Sequence, residues 1–290
     1  MKLGIVTPVV TLNPRAHAPW EETAGVDELV AVAREADGLG YDFLTCSEHV
    51  AVPEAVAPLR GSRYWDPGVT LGFLAAVTEH VRLATYVLVL GYHHPLELAK
   101  RYGTLDRVSG GRLVLGVGVG SLREEFELLG ADFEGRGEHA DDALRALRAS
   151  LSRPRPAYAG SHHAFDGFVV DPCAVQARVP IWVGGRTARS LRRAVELADG
   201  WSPFQVEPEQ VAGWLARARD TEAWERRARP LEVVVQARHL DPVGEPGATR
   251  DAVARHGAAG ATALALRFTS RSAGHLLEQL LAMRELVATA

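Results

Sequence analysis

The chain reads as an α/β protein, a parallel (β/α)8 barrel, on three observations. Short apolar runs alternate eight times with amphipathic stretches along 290 residues, the rhythm of βαβ units closing on themselves. Several runs, such as Leu113-Val114-Leu115 and Val233-Val234-Val235, are continuous rather than alternating, as expected of parallel strands covered on both faces. The length also suits one α/β barrel, which commonly reaches about 250 residues without dividing. No tandem repeat or low-complexity segment interrupts it, so 1–290 is expected to be one barrel domain.

The first strand spans KLGIVT, 2–7, and a polar loop runs from it to Gly25. Asp27 is placed to cap a helix whose apolar stripe is Leu29, Val32, Ala33, Ala36 and Leu39, and Gly40 ends it. A second strand, DFLTCS, carries Ser47, Glu48 and His49 to its tip, and the proline-rich 51–66 is long enough for a lid. Asp66 caps the next helix, to about Thr78. The third strand covers 81–90; the helix after Pro95 carries Leu98, Ala99, Tyr102 and Leu105, and Ser109-Gly110-Gly111 stops it. The fourth strand leads into Gly116, Gly118 and Gly120, where no Cβ blocks close approach.

Residues 121–137 read as irregular, followed by a helix from about Glu138 to Leu151 and a small hairpin in YAGSHHAFDGF. PIWVGG, GWSPF (200–204), LEVVVQA (231–237) and ATALALR (261–267) are strands five to eight. Helices follow each, starting at Thr187, around Val211, at 248–256, and last through Leu276, Leu280, Met283 and Val287.

Composition narrows the classes. Hydrophobic residues make up 47% and charged ones 23%, and the net charge of −4 leaves no basic excess for nucleic acid. No run approaches the roughly 20 apolar residues needed to span a bilayer, and the N-terminus lacks signal-peptide features. Cys46 and Cys173 are the only cysteines, which favours a reducing, cytoplasmic setting and offers no metal cluster. His93-His94 and His162-His163 are not read as metal pairs, because adjacent histidines diverge. Lys2 and Lys100 are the only lysines and neither sits at a strand tip, so a Schiff-base barrel enzyme has little to work with.

Reactive groups of such barrels lie at the C-terminal strand ends. That rule selects Glu48 and His49, Tyr86 to Val89, Gly116 to Ser121, Gly184 to Thr187, and Arg238 with His239. Gly184, Gly185, Arg186 and Thr187 stand where a strand becomes a helix, a natural phosphate site; the alternative is a plain tight turn. His49 can exchange protons near neutrality, or be a structural hydrogen-bonding residue. The run Gly116, Gly118, Gly120 does not match the dinucleotide fingerprint and reads either as contact with a planar ring or as a turn. Trp182 and Trp201 read as core or pocket wall, and Arg192-Arg193 as a solvated helix face.

LDRVSGGRLVLGVGVG (105–120), SEHV (47–50), VRLATYVLVLGYHHPLELAK (81–100) and VPIWVGGRTARSLRRAVELADGWSP (179–203) together resemble the luciferase-like flavin and deazaflavin oxidoreductases. The likeness covers the chain to about Pro203; beyond it only the strand and helix rhythm matches. It implies a luciferase-like barrel with loop insertions at the C-terminal face. It also implies catalytic roles for His49 and Glu48 against the cofactor ring, and a bulge with a non-prolyl cis peptide at Tyr86-Val87. Ring contacts at Gly118 and Gly120 and a phosphate grip at Gly184, Gly185, Arg186 and Thr187 complete the set. The implied cofactor is F420, with FMN as alternative; the implied reaction is hydride transfer to or from a small organic substrate, and related barrels are often homodimers. Some sugar-phosphate dehydrogenases of the family carry a glutamate directly after the glycine run; Ser121 stands there here. An FMN-dependent monooxygenase and a non-catalytic cofactor-binding barrel are the competing readings.

Overall fold

Eight parallel strands close on themselves with a helix after each. A computed structural model describes residues 1–288. The barrel strands are β1 (Lys2–Ile5), β2 (Phe43–Cys46), β3 (Arg82–Thr85, resuming at Leu88–Val89), β4 (Leu113–Gly118), β5 (Ile181–Gly184), β6 (Gly200–Ser202), β7 (Glu232–Leu240) and β8 (Ala263–Phe268). Each pairs in parallel with its neighbours in chain order, β1 pairs with β8, and Leu83 opposite Leu113 joins β3 to β4. The helices are α1 (Val26–Gly38), α2 (Pro67–Val77), α3 (Pro95–Val108), α4 (Arg136–Ser150), α5 (Ala188–Leu197), α6 (Pro208–Arg219), α7 (Pro246–Ala258) and α8 (Ala273–Ala288).

The barrel interior is packed solid. Phe43, Ala84, Val114, Trp182, Val234, Ala263 and Ala265 fill it from six strands, and the Phe43 and Trp182 rings meet edge to face at 5.1 Å. Gly4 and Gly200 make room for them: a Cβ there would lie 2.3 Å from the Phe43 ring and 2.4 Å from Trp182. At the N-terminal end Glu232 accepts the Trp182 indole N–H and the Lys2 ammonium, each at 2.7 Å. The Arg82 guanidinium lies over both rings. That end is closed by a satisfied ion cluster, so Lys2 is spent on structure. Outside, Leu3, Ile5, Leu44, Leu83, Leu115 and Val183 bury against the helices, each such side chain contributing about 1.5–3 kcal/mol.

Local chemistry sets most boundaries. Asp66 caps α2 by accepting the Val69 N–H at 2.8 Å, Thr187 caps α5 from the Ser190 N–H at 3.2 Å, and Gly110 (φ 69°) takes the left-handed turn after α3. Several expectations are corrected. The cap residue of α1 is Gly25, whose N–H is taken by Glu28, with Asp27 two places further in. Within 121–137 lies a helix, Arg123–Leu128, and α4 begins at Arg136. The expected lid contains a helical turn, Ala57–Arg60, β6 stops at Ser202 and β7 runs on to Leu240. Arg193 is not solvated: it is 7% exposed and bonds Asp141 and the Gly137 carbonyl on α4.

Candidate active site

Alternation along the strands decides which side chains reach the mouth. Positions sharing a face with the interior cluster include Ser47 on β2, Tyr86 on β3, Gly116 and Gly118 on β4, Gly184 on β5, Ser202 on β6, Gln236 and Arg238 on β7, and Arg267 on β8. These are the C-terminal ends. Ser47 donates to the Tyr86 carbonyl at 2.8 Å and Ser202 to the Tyr86 hydroxyl at 3.0 Å, so Tyr86 is tied to β2 and β6 at once.

Just past β2, His49 Nδ1 lies 2.7 Å from Glu125 Oε2. A carboxylate only accepts, so Nδ1 carries the proton and Nε2 is left to meet a ligand. Glu125 is fully enclosed and makes three more bonds. It accepts the Val50 and Ala51 N–H groups at 2.6 and 3.2 Å and the Tyr92 hydroxyl at 2.9 Å. Burial works against its ionisation, but the His49 bond and charge, with Tyr92 and Val50, hold its carboxyl below the usual range. The His49 ring also packs edge to face on Tyr64 at 4.6 Å, and Arg60 reaches Ser121, fastening the 51–66 cover over this side.

Glu48 turns the other way. Its Oε2 accepts the Val89 N–H and its Oε1 meets His93 Nε2, both at 2.7 Å, so it is enclosed and supports the second segment of β3. Burial opposes protonation of His93, yet the bond and charge of Glu48, with Glu97, raise it above its ordinary value. Stability from a raised histidine is complete below the unfolded pKa of about 6.5 and is lost as pH rises through the folded value. In denaturant titrations the stability gap between wild type and His93→Gln is therefore expected to be about 1–3 kcal/mol near pH 6 and to narrow toward pH 9. A gap constant across that range would refute the pairing.

The third strand is broken at Tyr86-Val87, where the peptide is cis, as the resemblance implied. Val87 fills the space that glycines leave. A Cβ on Gly118 or on Gly184 would lie 2.8 Å from its methyls. Gly120 is likewise occupied, by Phe126 and Val89. The side-chain space at this glycine run is thus taken by protein, and only backbone there can meet a ligand.

At the β5 to α5 turn, Gly185 donates to the Ser202 carbonyl at 3.3 Å and cannot carry a Cβ, which would lie 2.5 Å from Ser190. Arg186, Thr187, Ala188 and Arg189 are all exposed, and the first turn of α5 holds no acidic residue. Two guanidinium groups and a helix N-terminus therefore face solvent together. Arg186 is held by the Gln205 side chain at 3.1 Å.

Elsewhere the functional candidates fall away. Burial pushes the Cys46 thiol up to about 12, so no thiolate forms. His93 and His94 diverge as expected, His94 accepting the Leu96 N–H. Among the described residues no three His, Cys, Asp or Glu side chains converge to hold a metal, and no helix is long and apolar enough to cross a membrane. A cavity of about 870 Å3 lies at the opposite end of the barrel among Arg148, Arg178, Asp199 and Arg227. Those arginines bond Asp199 and the last carbonyls of α5. Sequence reasoning missed Glu125 and the Glu48–His93 pair; the spacing of Leu122, Phe126 and Leu129 was the available signal for the helix carrying Glu125.

The chain is similar to several known proteins. An uncharacterized protein of Mycobacterium tuberculosis is 32% identical over 210 residues, 66% of this chain and 74% of its own. The oxygenase component of the flavin-dependent trigonelline monooxygenase of Acinetobacter baylyi is 29% identical over 173 residues, 59% of this chain and 46% of its own. The solved F420-dependent secondary alcohol dehydrogenase, in complex with an F420–acetone adduct, shares the fold with a TM-score of 0.76 at 13% identity, covering 99% of this chain and 98% of that one. A family model described as luciferase-like monooxygenase matches residues 1–271. With that match running from β1 past the end of β8, the chain belongs to the luciferase-like monooxygenase family.

Proposed function

We propose that the protein exchanges a hydride between the deazaflavin F420 and a small organic substrate. The observation that carries this reading is one mouth with two unlike sides. The β5–α5 turn offers Arg186, Arg189 and an acid-free helix N-terminus, while the β2 side offers an imidazole whose tautomer Glu125 fixes. These residues suit an anionic cofactor with a flat ring: the phosphate held at Gly184, Gly185, Arg186 and Thr187, the ring beside Tyr86, Val87 and the backbone of Gly118 and Gly120. When bound, F420 supplies the carbon that gives or takes hydride. His49 Nε2 holds or moves a proton at the substrate. Glu48 acts through Val89 and His93 as a positioning residue rather than by direct contact.

The second reading, an FMN-dependent monooxygenase, is favoured by the 29% identity to the trigonelline enzyme. Fluorescence titration with each cofactor separates them. Binding of F420 with none of FMN supports the first; the reverse supports the second; binding of neither overturns both. Arg186→Glu is expected to weaken whichever cofactor binds by about 10- to 100-fold, the worth of one charge-assisted contact. Unchanged affinity would remove the turn from the site.

A further inference from the structure

The end of β7 holds a cation, Arg238, that no carboxylate among the described residues neutralises. Ala237 pairs with Leu266 and Leu240 with Phe268, so Arg238 and His239 together face Arg267. His239 takes a left-handed conformation, φ 57°, and such two-for-one irregularities re-aim side chains beside binding sites. Glu232, bonded to Trp182, and Val234, in the interior cluster, set the inward face that Gln236 and Arg238 continue. Arg238 is half-buried. Its guanidinium is oriented by Gln236 Oε1, with Nε at 2.8 Å, and no carboxylate pairs with it among the described residues. The groups whose fields reach it are Tyr86 across the barrel mouth and Arg267 on β8.

Arg267 itself is neutralised, both Glu21 oxygens lying 2.8 and 3.0 Å from its Nη2. Glu48 and Glu125 are spent on His93 and His49. On the inward face of β7 the Arg238 guanidinium thus has no carboxylate partner among the described residues, which is unfavourable in a partly dry setting unless an oxyanion completes it, for which the planar fork is well shaped.

We infer that Arg238 anchors an anionic group of the substrate, a carboxylate or a phosphate, three strands round the barrel from His49. The word substrate rests on the proposed oxidoreductase function; the anion site does not. The site takes the oxyanion on Arg238, leaving the neutral end of the molecule toward Tyr86 and His49.

Calorimetric titration of the full chain with benzoate and neutral benzamide tests this, benzoate being used because phosphate also suits the β5–α5 turn. Wild type is expected to bind benzoate at least tenfold more tightly than benzamide. Arg238→Met should abolish the preference. Arg238→Lys, which keeps the charge without the fork, should reduce it several-fold, and Arg192→Glu, on the exposed face of α5, should leave it intact. No preference in wild type, its survival in Arg238→Met, or its loss in Arg192→Glu would overturn the inference. F420 and FMN titrations on the same variants and on Arg186→Glu keep the two readings apart. A drop in cofactor affinity in Arg238→Met as large as that in Arg186→Glu assigns Arg238 to the cofactor, overturning the inference and leaving the proposed function standing. Failure of both cofactors to bind wild type sinks the proposed function while an anion preference lost in Arg238→Met still supports the site.

Discussion

Replacing His49 with alanine is expected to lower turnover by about a hundred- to ten-thousand-fold, the usual worth of a positioned acid or base, with little change in cofactor affinity. The reason is geometric. Nδ1 is committed to Glu125 at 2.7 Å, so Nε2 is the one nitrogen that can trade a proton with a ligand. Glu125→Gln should reproduce a large part of the loss. An amide at the same place can donate to Nδ1 and favour the wrong tautomer, lowering kcat more than it raises KM. An amide oxygen can still accept from Val50 and Ala51, so the fold should be kept in Glu125→Gln, while the share of stability that comes from the ionised carboxylate is lost at neutral pH.

The same pair gives an acid limb of known sign. The folded Glu125 carboxyl is held below its ordinary value, so its contribution is complete above the unfolded value of about 4.3 and is lost as pH falls through the folded one. Wild type should lose this share of stability on acidification, and Glu125→Gln should not. Undiminished turnover in His49→Ala, on any substrate that proves active, removes the proton-transfer role.

Local signals were legible and long-range ones were not. The barrel rhythm, the Asp66 and Thr187 caps and the Ser109-Gly110-Gly111 stop depend on residues within four positions of one another, and the sequence shows them directly. His49 and Glu125 are 76 positions apart and no periodicity connects them. Arg193 looked like a solvated face because α5 shows an apolar stripe beside it; only the approach of α4, bringing Asp141 and the Gly137 carbonyl, turns that position inward. The glycines after β4 were visible as open space, but what fills it, Val87 from another strand, was not.

That filling yields the largest expected effect on folding. A Cβ at Gly116 would lie 2.0 Å from the Thr85 carbonyl oxygen and 3.0 Å from its carbon, both backbone atoms of the neighbouring strand. No rotamer can relieve that contact. Strands β3 and β4 would have to separate, breaking the 2.7 Å bond from the Thr85 hydroxyl to the Gly116 carbonyl and shifting Val87 and Tyr86 at the mouth. Overpacking in a well-filled core costs about 1–3 kcal/mol even where side chains can move, and a backbone obstacle should exceed it, a large part of the roughly 5–15 kcal/mol that holds a domain. Gly116→Ala is therefore expected to lower the denaturation midpoint most. Gly118→Ala should do so less, because its obstacle is the Val87 side chain at 2.8 Å. Gly72→Ala, in the interior of α2 with nothing within 4 Å, should instead stabilise by about 0.5–1 kcal/mol. The order of the three separates space from backbone entropy: if Gly116→Ala melts with wild type, β3 and β4 are not packed as described, and the placement of Tyr86 and Val87 at the mouth goes with them.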